Sequence, residues 1–346
     1  MERGKQKRRA HACAAVAALA LSAACDIGFK PFGPVKVYMG DPPPTVVATS
    51  SEPIQWSLIE GHLLWARSST NTLLLADAVN QRLVTLSYSG AIGIWEGTAA
   101  LSPSAGQVVF SAMLNSTWPY RLFVSSVQGG PTLALFPLGS GYGEGQSWPS
   151  WTPDGTTIVF TGLAAPSGLK NTSLGEVGSD GTGLKTLPIA SGFGPASVSP
   201  DGSSFATAGA DGIYVCDSAG NNLRQIARAA AGEAAYDPRW SPDGTRVAFV
   251  SRHGPNEPAN GEPLQFQIVA VDAAGTSSTV LTSFQFDGYP CDTFLSWSPS
   301  GTKIAFNKCA VDADGGVHIY ILDLGTGVAA PLTTGYVSED SPSWVQ

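Results

Sequence analysis

Charged residues are scarce in this chain: 19 Lys and Arg and 27 Asp and Glu among 346 residues, a share of 13%. Arg3, Lys5, Lys7, Arg8 and Arg9 stand together at the start, so the body is more acidic than the net charge of −8 of the whole sequence. A body without a basic stripe is unsuited to nucleic acid, whose phosphates need clustered Lys and Arg. Histidine is scarcer still, and beyond the first 25 residues only His62, His253 and His318 remain, well separated along the chain. No G-x-S-x-G nucleophile elbow occurs. Long unbroken helical stretches are missing too, because 40 Gly and 25 Pro punctuate the backbone, and each weakens or ends a helix. Helical bundles, coiled coils and polytopic membrane proteins are thereby excluded. A hydrophobic share of 43% excludes a disordered chain. What is left is one large all-β domain or two ordinary ones.

The first 24 residues read as an address. A basic head precedes Ala10–Ala24, an apolar run of small residues that is shorter than the roughly 20 residues a spanning helix needs. That order is the order of a secretory signal peptide. The string Leu21-Ser22-Ala23-Ala24-Cys25 resembles a bacterial lipobox, with Ser22 standing where such motifs prefer Leu. The resemblance implies a lipidated Cys25 and a membrane-surface anchor; ordinary cleavage nearby is the alternative. Residues 25–34 read as a tether, and residues 35–346 as a single domain. Export implies an oxidising compartment. Three cysteines lie well beyond the address, Cys216, Cys291 and Cys309, which allows one pair and one leftover thiol.

The rest of the chain repeats. The clearest copy is WSPDGTRVAF from Trp240, followed by WTPDGTTIVF from Trp151 and WSPSGTKIAF from Trp297. LSPSAGQVVF from Leu101 and VSPDGSSFAT from Val198 are weaker, WSLIEGHLLW from Trp56 is degenerate, and a last fragment carries Trp344. The anchors are 42 to 57 residues apart. Pro-Asp-Gly is a tight hairpin turn, with Pro fixing φ and Gly supplying a positive φ. The Val-Ala-Phe type of run behind it is apolar on both faces. A third strand ending in Asp and a Gly turn follows, as in IVAVDAAG up to Gly275, and then a short fourth strand. Four short strands per repeat predict the blade of a β-propeller, each sheet packing between two others. The Trp before the turn is expected to fill the space between blades. Trp344, with the strands Val35–Met39 and Thr45–Thr49, suggests seven blades, the seventh a composite of both termini; six blades is the alternative.

The WSPDGxxIAF pattern resembles the WD-like repeats of TolB-type β-propellers over nearly all of residues 54–346. The resemblance implies an envelope protein that binds envelope lipoproteins or a cell-wall component. TolB proteins also carry an α/β domain before the propeller, and the roughly thirty residues between Cys25 and Trp56 are too few for one. Related repeats precede a hydrolase domain in prolyl-oligopeptidase-like enzymes, and no such domain is present in the sequence. A monomer is expected, with no cofactor, metal or nucleic acid.

Strand order sorts the loops. Turns between the first and second strands, and between the third and fourth, share one face and are short. The other face gathers longer segments, read as Ala112–Pro119, Leu138–Ser147, Gly162–Asn171, Arg252–Gln265, Phe284–Thr293 and Asn307–Gly316. Unequal loops on one rim of a rigid scaffold are a usual place for binding. Trp95, Trp118, Tyr142, Phe286 and Tyr289 are the candidate aromatic anchors there, or side chains that pack the loops down. A glycan hydrolase or lyase at the channel mouth is the second reading. Asp312-Ala313-Asp314-Gly315 lacks the Gly and Glu spacing of a Ca²⁺ loop. The repeated Asp154, Asp201 and Asp243 are turn-formers rather than catalytic carboxylates. Counted from the Ser300-Gly301 turn, Cys291 and Cys309 are nearly equidistant, so the hairpin predicts a disulfide between them worth about 3 kcal/mol. Non-reducing mass spectrometry is expected to find that crosslink; two free thiols would refute the hairpin register.

Overall fold

The computed structural model describes residues 37–38, 45–49, 54–88, 91–114, 117–129, 131–135, 147–163, 172–189, 196–254, 264–286, 292–309, 316–335 and 338–346. They form six antiparallel sheets arranged as a β-propeller. Blade two holds Ala91–Leu101, Gln107–Leu114, Thr117–Ser126 and Leu133–Ala134 from the axis outwards. Blade three holds Ser147–Trp151, Thr157–Leu163, Thr172–Gly178 and Lys185–Thr186. Blade four holds Ala196–Val198, Ser204–Gly209, Gly212–Asp217 and Arg224–Arg228. Blade five holds Glu233–Trp240, Arg246–His253, Leu264–Asp272 and Ser278–Phe286, and blade six Leu295–Trp297, Lys303–Cys309, Val317–Asp323 and Ala329–Pro331.

Blade one is where the ring closes. Its three middle strands are His62–Arg67, Thr72–Asp77 and Arg82–Ser87, and its inner strand is the C-terminal Glu339–Val345, paired antiparallel with His62–Arg67. The ring has six blades, the alternative the sequence allowed, and the composite of both ends of the chain is blade one rather than a seventh. Trp56 opens no strand: Trp56–Leu58 is a single 3₁₀ turn, with Leu58 N–H on Gln55 O and Ile59 N–H on Trp56 O. The degenerate repeat has no Pro-Asp-Gly to reverse the chain after Trp56, and Glu339–Val345 takes the vacant inner position. The two spare N-terminal strands do not pair with one another either. Thr45–Thr49 adds a fifth strand to blade one and Val37–Tyr38 a fifth to blade two. The expected loop Ala112–Pro119 is also corrected, because blade two's strands run on to Leu114 and restart at Thr117.

Apolar residues on both faces of a strand serve two different interfaces. In blade five, Val247 and Phe249 pack with Ala206, Ile213 and Val215 of blade four, whereas Ala248 and Val250 pack with Leu295, Ile304 and Phe306 of blade six. The repeat Trp lies between blades as expected: Trp151 Nε1 donates to Ala100 O and Trp297 Nε1 to Arg239 O of the preceding blade, each at 3.0 Å, while Trp344 Nε1 donates within blade one to Glu60 O. Main-chain N–H groups add a second ring of links through Ser hydroxyls. Leu101 donates to Ser343 Oγ and Trp344 to Ser296 Oγ at 3.0 Å, and Trp240 to Ser197 Oγ at 3.1 Å.

The turns form a third ring. Gly244, at φ +69°, has room for a methyl group only 3.8 Å from Pro200 of the preceding turn, and Gly155, Gly202 and Gly301 meet Pro103, Pro153 and Pro242 in the same way. Within each turn the Asp accepts from its neighbours, as Asp243 does from Ser241 Oγ at 2.6 Å and Thr245 N–H at 3.0 Å. Blade six has Ser300 in that place, and Glu60 of blade one supplies the carboxylate, accepting from Ser300 N–H at 3.0 Å and Oγ at 2.6 Å. Hydrogen bonds from Ser199 and Ser203 hold the exposed Asp201 carboxyl at a pKa of about 2, and those from Thr276 hold Asp272 at about 2. Asp154, Asp243 and Asp323 are lowered by the same kind of contact. A folded pKa below the unfolded one gives stability that is present above the unfolded value and lost as pH falls through the folded one. The thermal midpoint is expected to drop between about pH 4 and pH 2, and to drop less when Asp201 and Asp272 are both replaced by Asn. An unchanged pH dependence in that variant would contradict the role given to these turns.

Candidate binding face

In blades two to six the inner strand starts on the long-loop face and ends before the short turn, at Trp in blades three, five and six, at Leu101 in blade two and at Val198 in blade four. Charge is buried at the starting end. In blade five, Asp237 stands at φ +50° just before Pro238, where the pairing register shifts. Ser341 before Pro342 and Trp148 before Pro149 repeat this positive φ at register shifts in blades one and three. A non-Gly residue with positive φ is strained, and X-Pro sterics push the residue before Pro toward extended backbone, so the surrounding packing must hold the bulge in place. At Asp237 the bulge aims a fully buried carboxylate at the next blade: Oδ2 accepts from Leu295 N–H at 2.6 Å and Oδ1 faces Arg239 Nη2 at 2.7 Å. Burial pushes the Asp237 carboxyl up, against the opposing pull of the Arg239 guanidinium. Tyr236 beside it is pushed up by burial as well, and its hydroxyl accepts from Thr293 N–H at 3.2 Å.

Blade one has a matching pair. Glu339, fully buried, accepts on Oε1 from Trp65 Nε1 at 3.1 Å, Arg67 Nε at 3.0 Å and Arg67 Nη2 at 2.5 Å. Both carboxylates are thus fixed by an Arg and by a further N–H. They join the inner strand of one blade to its neighbouring strand or blade.

The third feature is a groove between blades four and five. The strands of blade five have 8, 8, 9 and 9 residues and those of blade four 3, 6, 6 and 5, so blade five projects past its neighbour on the long-loop side. The wall it turns toward blade four changes from apolar Phe249, Val269 and Val271 to polar Ser251, His253, Gln267 and Glu233. The outer strand of blade four forms the other wall, and the space between is about 400 Å³. His253 Nδ1 lies 2.5 Å from Glu233 Oε1, while its Nε2 is buried without a hydrogen-bond partner. Sequence reading placed His253 in a loop; it ends a strand and pairs with Glu233 in register. Only the alternation across the hairpin, not any motif, could have joined those two residues.

The other two histidines sit elsewhere. His62 lies in blade one, against Gln346 O at 3.0 Å, and His318 is buried in blade six. Among the described residues no group of three or more His, Cys, Asp or Glu is placed to hold a metal ion. No helix there is long and apolar enough to cross a membrane. Cys216 is buried in blade four, and burial pushes its thiol up to about 11, as expected of an inert core cysteine. Trp95, Trp118 and Phe286, expected in loops, stand in the strands Ala91–Leu101, Thr117–Ser126 and Ser278–Phe286. Their side chains lie outside the described residues, as do Tyr142, Tyr289, Cys25, Cys291 and the side chain of Cys309.

Solved structures resemble this arrangement closely enough to decide the fold. TolB from Acinetobacter baumannii superposes with a TM-score of 0.61 at 18% identity, over 82% of this chain and 66% of that one. A protein provisionally assigned as TolB in Agrobacterium tumefaciens gives 0.53 at 18% identity, over 70% and 87%. The fold is that of a TolB-like β-propeller. Oligogalacturonate lyase from Vibrio parahaemolyticus also shares the propeller, at 0.50 and 16% identity, over 76% and 71%. No protein-family model matches the chain, and no curated protein matches it in sequence. The chain spans slightly less than two thirds of the Acinetobacter TolB, and at these identities the likeness fixes the TolB-like architecture alone. Within that architecture the Glu339–Arg67 pair ties the last strand to the first blade. Arg67→Ala leaves a buried carboxylate without its cation and is expected to cost about 3–5 kcal/mol in urea unfolding. Adding Glu339→Gln is expected to recover part of the loss; a wild-type midpoint for Arg67→Ala would contradict the pairing.

Proposed function

We propose that this chain is an exported, non-catalytic binding scaffold of a bacterial envelope, tethered through lipidated Cys25, that holds an envelope protein or cell-wall component on its long-loop face. The observation that carries the reading is the state of the buried carboxylates at that end of the ring. Asp237 and Glu339 are both paired with Arg within the fold, which suits a rigid platform. The TolB-like neighbours support a protein-binding role. In this reading Trp95, Trp118, Tyr142, Phe286 and Tyr289 supply the contacts, and a Cys291–Cys309 disulfide stiffens the rim. A glycan hydrolase or lyase is the second reading, favoured by the fold shared with oligogalacturonate lyase.

Affinity capture from envelope extracts tests the scaffold. Wild-type protein is expected to retain a partner that a Trp118→Ala, Tyr142→Ala variant loses, and Cys25→Ser is expected to move the protein from the membrane to the soluble fraction. Equal capture by both forms would remove the long-loop face from the account, and unchanged fractionation would remove the anchor. Release of unsaturated products from oligogalacturonate would turn the reading to the lyase.

A further inference from the structure

Two blades of this propeller have five strands, and the fifth comes from outside the repeats in both. Thr45–Thr49 pairs with the outer strand of blade one, from Thr45 opposite Ser87 to Thr49 opposite Val84. Val37–Tyr38 pairs with Leu133–Ala134 of blade two. The outer edge of a blade here therefore accepts a further antiparallel strand. The turn of the following blade does not prevent it. Gly181 of blade three approaches Leu135, the residue directly after Leu133–Ala134, and the fifth strand of blade two is still in place.

Blade four repeats these conditions without the extra strand. Gly275 of blade five approaches Ile226, which lies within the outer strand, and does so more closely than Gly181 approaches Leu135. Arg224–Arg228 ends its sheet, and no described strand pairs with its outer side. Beside that edge lies the groove of about 400 Å³, whose opposite wall includes Ser278 and Val280 from the outer strand of blade five. Val280 is 49% exposed there, one of the few large apolar side chains so open to water. Among the other outer edges of the described residues, Ser278–Phe286 of blade five is longer, but the groove lies against the edge of blade four. Lys185–Thr186 of blade three has two residues, and Ala329–Pro331 of blade six has three, one of them a proline without an N–H to give.

We propose that the groove between blades four and five is a fifth-strand site, which takes an extended, uncharged peptide segment of a partner protein antiparallel to Arg224–Arg228. Main-chain groups of the segment meet the unpaired groups of that edge, the mode by which an exposed sheet edge captures a strand. Alternate side chains enter the floor made by Ile226, Phe249, Val269 and Val271. The polar end, at Gln267, Ser251 and the unpartnered His253 Nε2, receives the segment where it leaves the groove. Arg224 does not compete, because its guanidinium is engaged with the carbonyls of Ala273 and Ala274. A segment like the chain's own fifth strand, TVVAT, has the required short, β-branched and uncharged composition.

The site reaches the long-loop side at its polar end but is lined by none of Trp95, Trp118, Tyr142, Phe286 and Tyr289, so the two readings fail separately. The test adds a synthetic peptide with the sequence of residues 43–51 to the full-length protein and follows amide hydrogen exchange by mass spectrometry. Slower exchange in segments covering 224–229 and 264–280 is expected. Val280→Lys, a change on an exposed wall, is expected to weaken peptide binding at least tenfold while leaving the thermal midpoint unchanged. No protection at 224–229 overturns the proposal. So does protection confined to 82–87, which means exchange with the strand already in blade one, and so does equal binding by Val280→Lys.

Discussion

A blade of this molecule is a sheet with two apolar faces and no helix to cover either. Val247 and Phe249 must face one neighbour while Ala248 and Val250 face another, so removing any blade exposes two others. Burial of both faces is the dominant favourable term for such a sheet, and it is available only in a closed ring. Closure in turn rests on Glu339–Val345, because blade one lacks an inner strand of its own. The last seven-residue strand supplies it, and with it Trp344 on Glu60, Ser343 under Leu101 and Glu339 on Arg67. The seam between the ends of the chain shares the Ser-to-main-chain link of other blade junctions, and adds the Trp344–Glu60 bond and the Glu339–Arg67 pair within blade one.

Those added charges explain why the seam is specific. Replacing a buried ion pair with apolar residues is often neutral for stability, whereas leaving one charge alone is costly. A strand that brought no carboxylate to Arg67 and Trp65 would leave their donors without an acceptor. Asp237 does the same work between blades five and six, from a bulged backbone that points its carboxylate at Leu295 N–H. Glu339 therefore holds the last strand in blade one, and Asp237 holds blade five to blade six. That leaves recognition to surfaces that project beyond the ring, of which the wall of blade five is the clearest described case.

Much of the fold was legible in the sequence because the repeat carries its own turn chemistry. Trp151, Trp240 and Trp297 each precede a Pro-Asp-Gly or Pro-Ser-Gly turn and an apolar run, and all three junctions formed as the pattern implies. The degenerate repeat at Trp56 departs from the pattern because it lacks the Pro-Asp-Gly that would turn the chain, so it supplies no inner strand. The place of the last strand was hidden for a related reason: local pattern shows that a segment is a strand, not which edge it joins. The groove was less legible again. Its His253–Glu233 contact depends on the register between two strands of blade five, and its depth depends on blade four having shorter strands. Neither is a property of any single segment.

Ring closure by the C-terminal strand is most directly tested by removing it. A chain ending at residue 337 is expected to lose the single cooperative thermal transition, and a synthetic peptide of residues 338–346 added in trans is expected to restore it. A truncated chain that melts in one transition at the wild-type temperature would contradict the account, since the remaining blades would then be closed without it.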